Sequence, residues 1–221
     1  MHSSINKLLQ IEKEIKLNIT KANIKDYEPN IIAVSKTFPM SEISPLINHG
    51  HVHFGENKVQ EAIEKWSSLK NDFGHIKLHM IGKLQTNKVK YAVSIFDFIH
   101  SLDNLKLAEK ISKEQIKNNK KPKIFIQINI GYENQKNGIE IENLNNFYKT
   151  CVQDLKLNII GLMCLPPNNS NSEEYFLKMG ELSNNLNLNH LSMGMSSDYL
   201  KAVKYKSTYL RIGSKIFGDR N

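Results

Sequence analysis

Short apolar runs alternate with segments of helical periodicity along the whole chain. The runs are NIIAVS (30–35), HVHFG (51–55), KLHMIG (77–82), FDFIHS (96–101), KIFIQIN (123–129), LNIIGLM (157–163), HLSMG (190–194) and TYLRIG (208–213). Between them apolar residues recur at helical spacing, as in Val59, Ile63 and Trp66, or Leu105, Ala108, Ile111 and Ile116. Runs of strand length separated by such segments predict βαβ units and a parallel sheet. Eight units after an amphipathic helix at about residues 5–20 (Ile5, Leu8, Leu9, Ile15) read most simply as an α/β fold, a single-domain TIM (β/α)8 barrel. One domain is expected over 1–221, with 1–25 forming the extra helix and its connection. A doubly wound open sheet is the competing topology. It predicts a Gly-rich turn after the first strand, where VSKTFP has none.

In a barrel the C-terminal strand ends form the working face, so the residues closing each run are the candidate site. The first run closes on Ser35 and Lys36, the second on Glu56 and Asn57, and the fourth on His100, Ser101 and Asp103. The last two, MGMSSD (193–198) and RIGSKIFG (211–218), each place Gly and Ser where a helix should begin. Such ends offer backbone N–H groups and hydroxyls to an anion, and a phosphate site after strands 7 and 8 recurs in barrels. The plainer reading is a pair of tight βα turns with serine caps. Lys36 sits at the mouth, where partial desolvation favours the free amine that a Schiff base needs. Its plainer reading is a lysine snorkelling to solvent.

Composition narrows the partners. The formal charge of +8 suggests an anionic ligand, but the lysines are spread from Lys7 to Lys215 with no aromatic-interleaved block, so nucleic acid is not expected. Only Arg211 and Arg220 are arginines among the 30 basic residues. Arginine's rigid fork of donors is therefore used where lysine does not suffice. Cys151 and Cys164, the only cysteines, have no metal-like spacing and fit a reducing compartment. No secretory leader and no membrane-length apolar run are present, so a cytoplasmic protein without a membrane partner is expected.

A lysine able to form an imine, facing a phosphate site, with an arginine for a ring nitrogen, is a set of parts suited to pyridoxal 5′-phosphate. Other constellations are weaker. His51 and His53 share a strand face and begin a metal site that no third ligand completes. His79 and His100 are ambiguous, and Trp66 reads as core. No GxSxG or HExxH occurs.

The segments AVSKTFP, FGENKVQE, HMIGKLQTNK, SLD, QIN with KNGI, GLMCLPP, LSMGMSSDYLKAV and STYLRIGSKIFG together resemble the pyridoxal phosphate homeostasis (YggS/PROSC) family, in order, from about residue 31 to 220. The resemblance implies a barrel related to the alanine racemase N-terminal domain, with the cofactor in a Schiff base on Lys36. It implies phosphate binding by Ser196, Gly213 and Ser214, with Ser197 as a helper, and Arg211 facing the pyridine nitrogen. Asn57 would line the ring, and Met193 and Met195 the wall near the phosphate loop. Leu78, Lys58 and the loop YENQKNGI (132–139) depart from the usual family pattern at the pocket rim.

The function so implied is cofactor homeostasis: a carrier or buffer, not an enzyme, that passes the cofactor to dependent apoenzymes. A permanent cation beside the ring nitrogen disfavours its protonation and weakens the ring as an electron sink. A racemase of this barrel also needs a second base, supplied by an additional domain for which no sequence remains before Asn221; a monomer is then expected. The alternative is a small pyridoxal-phosphate racemase using Tyr132 or a partner chain's histidine as that base.

Overall fold

A computed structural model describes residues 2–69, 73–133, 137–167 and 171–219. Its strands are β1 (Asn30–Val34), β2 (His53–Glu56), β3 (Lys77–Met80), β4 (Phe98–Leu102), β5 (Lys123–Ile128), β6 (Ile159–Cys164), β7 (His190–Met195) and β8 (Tyr209–Ile212). All eight fall on the predicted runs. They close into a parallel barrel in sequence order, β8 pairing back onto β1 with Ile32 opposite Arg211.

The described helices are α1 (Ser3–Lys21), α2 (Met40–Asn48), α3 (Val59–Trp66), α4 (Val89–Ile95), α5 (Leu105–Lys117), α6 (Leu144–Lys149), α7 (Ser172–Asn185), α8 (Tyr199–Lys204) and α9 (Ser214–Phe217). The first precedes the barrel and buries Leu8, Ile11 and Ile15, a stripe at helical spacing. Leu9, counted with that stripe in the sequence, is 39% exposed, because Ile11 occupies the inward direction instead. No described helix is long and apolar enough to cross a membrane.

Two cores follow from the alternation of strand side chains. Outward-facing residues pack against the helices in one continuous cluster that includes Trp66, Phe96 and Phe176, all fully buried. Removing each such side chain from water contributes roughly 1.5–3 kcal/mol. Inside the barrel a smaller cluster of Ile32, Phe98, Phe125, Met163 and Tyr209 fills the lower layers. Above it the interior turns polar, through His79, His100, Ser192 and Arg211, all buried. Of these residues Arg211 lines the cavity at the barrel mouth and forms the floor of the site.

Candidate functional site

A cavity of about 870 Å³ opens at the C-terminal ends of the strands. Its wall contains Lys36 after β1 and Asn57 after β2, Met195, Ser196 and Ser197 from the end of β7 and the loop after it, and Arg211, Gly213 and Ser214 from the adjoining β8 and its loop, with Phe38, Ile81 and Leu165 as apolar contributors. Eight of the nine residues singled out in the sequence thus share one cavity.

Lys36 is aimed by an unusual turn. After β1 the Phe38 N–H donates to the Ser35 carbonyl at 3.2 Å, and Thr37 between them adopts φ 68°. That left-handed conformation is rare for a β-branched residue and persists only where its surroundings over-determine it. Here they do. Glu61 on α3 accepts from the Thr37 N–H at 2.5 Å and from the Lys65 ammonium at 2.5 Å, and the same ammonium donates to the Ser35 carbonyl at 2.9 Å. On the other side Phe38 stacks on Phe217 of α9, ring centroids 4.8 Å apart, tying the Lys36 turn to the loop after β8. Glu61 and Lys65 escaped the sequence reading, although their i,i+4 spacing on one helix was visible.

The loops after β7 and β8 meet at Ser196, whose hydroxyl accepts from the backbone N–H groups of Gly213 (3.2 Å) and Lys215 (3.5 Å). Two amides converging on one oxygen mark a place suited to an anion's oxygen, which the Ser196 hydroxyl occupies here. The β7 loop is held by Asp198, which accepts from the Met195 N–H at 2.7 Å. Gly194 makes this path possible: its φ is +88°, and a Cβ there would lie 2.5 Å from that of Ala202 on α8. The irregularity also moves Met193. In a regular strand it would share a face with Met195, but the register shifts between Ser192 and Met195. Met195 therefore lines the cavity while Met193 is fully buried in the core against the helices, outside the cavity wall where the sequence reading placed it.

Arg211 is 4% exposed and held by neutral oxygens, donating from Nη1 to the Ser192 hydroxyl at 2.6 Å and from Nη2 to the Cys164 carbonyl at 2.9 Å. Burial lowers its pKa from the ordinary guanidinium value. Ser192 in turn faces His100 Nδ1 at 2.9 Å. Burial, then the neighbouring guanidinium, pushes the His100 imidazole well below the usual histidine range, so it is neutral at pH 7. A buried cation anchored by two neutral oxygens keeps donors for a further acceptor in the cavity.

Other candidates lie elsewhere. Glu56 turns away from the cavity: its Oε1 accepts from Ser35 (2.7 Å) and the Trp66 indole (3.1 Å), so Trp66 is both core and a positioner of β2. Burial raises the Glu56 pKa. His53 and His79 are hydrogen-bonded to each other ring to ring at 2.9 Å. Tyr132, proposed as a second base, is 57% exposed, bonds Glu142 at 2.9 Å and does not line the cavity. Within the rim loop YENQKNGI, residues 134–136 lie outside the described residues, as does Arg220.

The profile of the family described as alanine racemase, N-terminal domain, matches residues 13–221. The pyridoxal phosphate homeostasis protein of Aquifex aeolicus is 40% identical over 199 residues, 86% of each chain. That of Escherichia coli K12 is 31% identical over 234 residues, covering all of this chain and 98% of the other. Among solved structures, PipY of Synechococcus elongatus PCC7942 with PLP bound superposes with a TM-score of 0.78 at 32% identity, over 92% of this chain and 100% of that one.

Proposed function

Because the chain belongs to the pyridoxal phosphate homeostasis family, built on the barrel of the alanine racemase N-terminal domain, we propose that it binds pyridoxal 5′-phosphate and acts in cofactor homeostasis as a carrier or buffer. The observation that carries this reading is the shared cavity wall of Lys36, Ser196, Arg211, Gly213 and Ser214.

The residues fit the group. The amides of Gly213 and Lys215 with the Ser196 hydroxyl form a donor cluster matched to a phosphate, joined by Ser214 and Ser197 on the same wall. Arg211 offers its remaining donors to a neutral ring nitrogen. A permanent donor there cannot return a proton to the nitrogen, whereas a carboxylate would stabilise the protonated ring. Asn57, Ile81, Leu165 and Met195 bound the space for a flat ring. Lys36 would supply the amine that holds the group through its aldehyde, a link that other amines can exchange.

Strong amino-acid chemistry is not what these residues favour. The unprotonated ring is a weak electron sink, and Tyr132 lies outside the cavity. We place the protein in the cytoplasm, as a monomer that hands its cofactor to apoenzymes; both cysteines are buried and outside any disulfide, as a reducing compartment permits.

The test is to incubate the cofactor-loaded protein with amino acids in D₂O and, separately, with an apoenzyme that requires the cofactor. The expected results are no exchange at Cα, no change of chirality, and recovery of apoenzyme activity. Steady-state racemisation that disappears in Lys36→Ala would overturn the carrier reading.

A further inference from the structure

Binding the cofactor makes no use of three histidines that occupy the barrel interior beneath the cavity floor. They are joined end to end. His53 Nδ1 lies 2.9 Å from His79 Nε2, His79 Nδ1 lies 2.9 Å from His100 Nε2, and His100 Nδ1 lies 2.9 Å from the Ser192 hydroxyl that Arg211 holds at 2.6 Å. His79, His100 and Ser192 are completely buried. The rings are fixed by stacking, His79 on Phe98 at 4.2 Å and His100 on Phe125 at 4.3 Å. His53 is half-buried at the lower end. There Lys77 of β3 and Lys123 of β5 disfavour its charged form, Asp97 ahead of β4 favours it, and the edge of Tyr209 of β8 packs against it.

A neutral imidazole carries one N–H and one lone pair. A row of three neutral rings joined nitrogen to nitrogen therefore has only two complete proton arrangements, Nε2–H throughout or Nδ1–H throughout. Any mixture sets two N–H groups or two lone pairs against each other in a buried site, where a group left unmet keeps its full desolvation penalty. The upper end decides between the two. Arg211 only donates, so the Ser192 oxygen accepts from it. The hydroxyl proton then needs an acceptor, and His100 Nδ1 is its other hydrogen-bond partner among the described residues. Were the chain reversed, Ser192 would accept twice and its own proton would have no partner in that set.

We propose that Ser192, His100, His79 and His53 form one polarised hydrogen-bond chain, Nε2–H in every ring, which positions the Arg211 guanidinium and links the cavity floor to the opposite end of the barrel. The four are positioning residues. Because each ring's proton dictates its neighbour's, a change in what Arg211 offers Ser192 is felt at His53, and the coupling is reciprocal.

The proton arrangement does not depend on the cofactor; the response to occupancy rests on the binding reading above. The experiment is a long-range ¹H–¹⁵N correlation spectrum of the full ¹⁵N-labelled chain at pH 7, first alone and then with pyridoxal 5′-phosphate added while its absorbance is followed. Expected are protonated Nε2 and unprotonated Nδ1 in all three rings, and shifts at His100, His79 and His53 on binding, with the exposed His75, which is not part of the chain of rings, unmoved. Nδ1–H at His79 or His100, or a cationic ring, would overturn the chain. Bound cofactor with His53 unmoved would overturn the coupling. Absence of any bound absorbance would instead count against the binding reading and leave the tautomer result standing. Ser192→Ala should abolish the single sense of the chain, and unchanged tautomers there would contradict it. Should that variant not fold, His53→Phe at the half-buried end should leave His79 and His100 in the same sense, since Arg211 sets it; reversal would refute the assignment.

Discussion

At the scale of single residues, position along a strand announced the chemistry, but its support stayed hidden. Lys36 was legible because an ammonium at the end of an apolar run is costly unless something uses it. The strained Thr37 turn and its clamp by Glu61 and Lys65 were not, since they join residues 24 or more positions apart. Removing that clamp is informative. Glu61→Ala should lower stability by about 1 kcal/mol, the net worth of the lost hydrogen bonds, as read by urea unfolding. It should also slow reaction of Lys36 with added cofactor, because the turn is freed to relax from φ 68°. The histidines show the same limit from another side. His51 and His53 read as a possible metal start, whereas His53 lies in series with two histidines from other strands, an arrangement fixed by barrel register.

At the scale of elements, all eight strands were legible, because parallel strands buried on both faces read as continuous apolar runs. Irregularity was not. The shift in β7 at Gly194 carries Met195 and Ser196 over the cavity and leaves Met193 in the core, and nothing in the string MGMS marks where alternation breaks. Gly194→Ala should therefore cost more than about 1 kcal/mol, from a left-handed φ and a clash with Ala202, and should weaken cofactor retention beyond its effect on folding. Thermal melts with and without cofactor separate the two effects. In α1 the true stripe includes Ile11 in place of Leu9, a one-residue rotation that amphipathic spacing alone does not resolve.

At the scale of the whole molecule, an interior built around neutral histidines ties stability to pH. Burial lowers the pKa of His51 and His53 to about 4, and that of His79, His100 and His190 in the same direction. Groups with depressed folded pKa values bind protons first in the unfolded chain. Their contribution to stability is thus present above about 6.5 and is lost as pH falls through the folded values. Each histidine adds up to about 1.4 kcal/mol per pH unit to that slope. Glu56 and Asp103, with pKa values raised by burial, act in the opposite sense above about 4.5 and about 3.8, but they are two groups against five. The melting temperature should fall steadily from pH 6.5 to pH 4; a flat profile there would mean the histidines are charged in the folded protein. The barrel and most of its mouth were legible in the sequence, whereas the interior that connects them emerged only when the strands were brought into register.

Whether Lys36 anchors the cofactor in this cavity is decided by loading the protein with pyridoxal 5′-phosphate, reducing with borohydride, and mapping the modified peptides by mass. A visible absorption band removed by the reductant and a single pyridoxyl adduct on Lys36 are expected. No band, or an adduct spread over surface lysines with Lys36 unmodified, would contradict that anchoring.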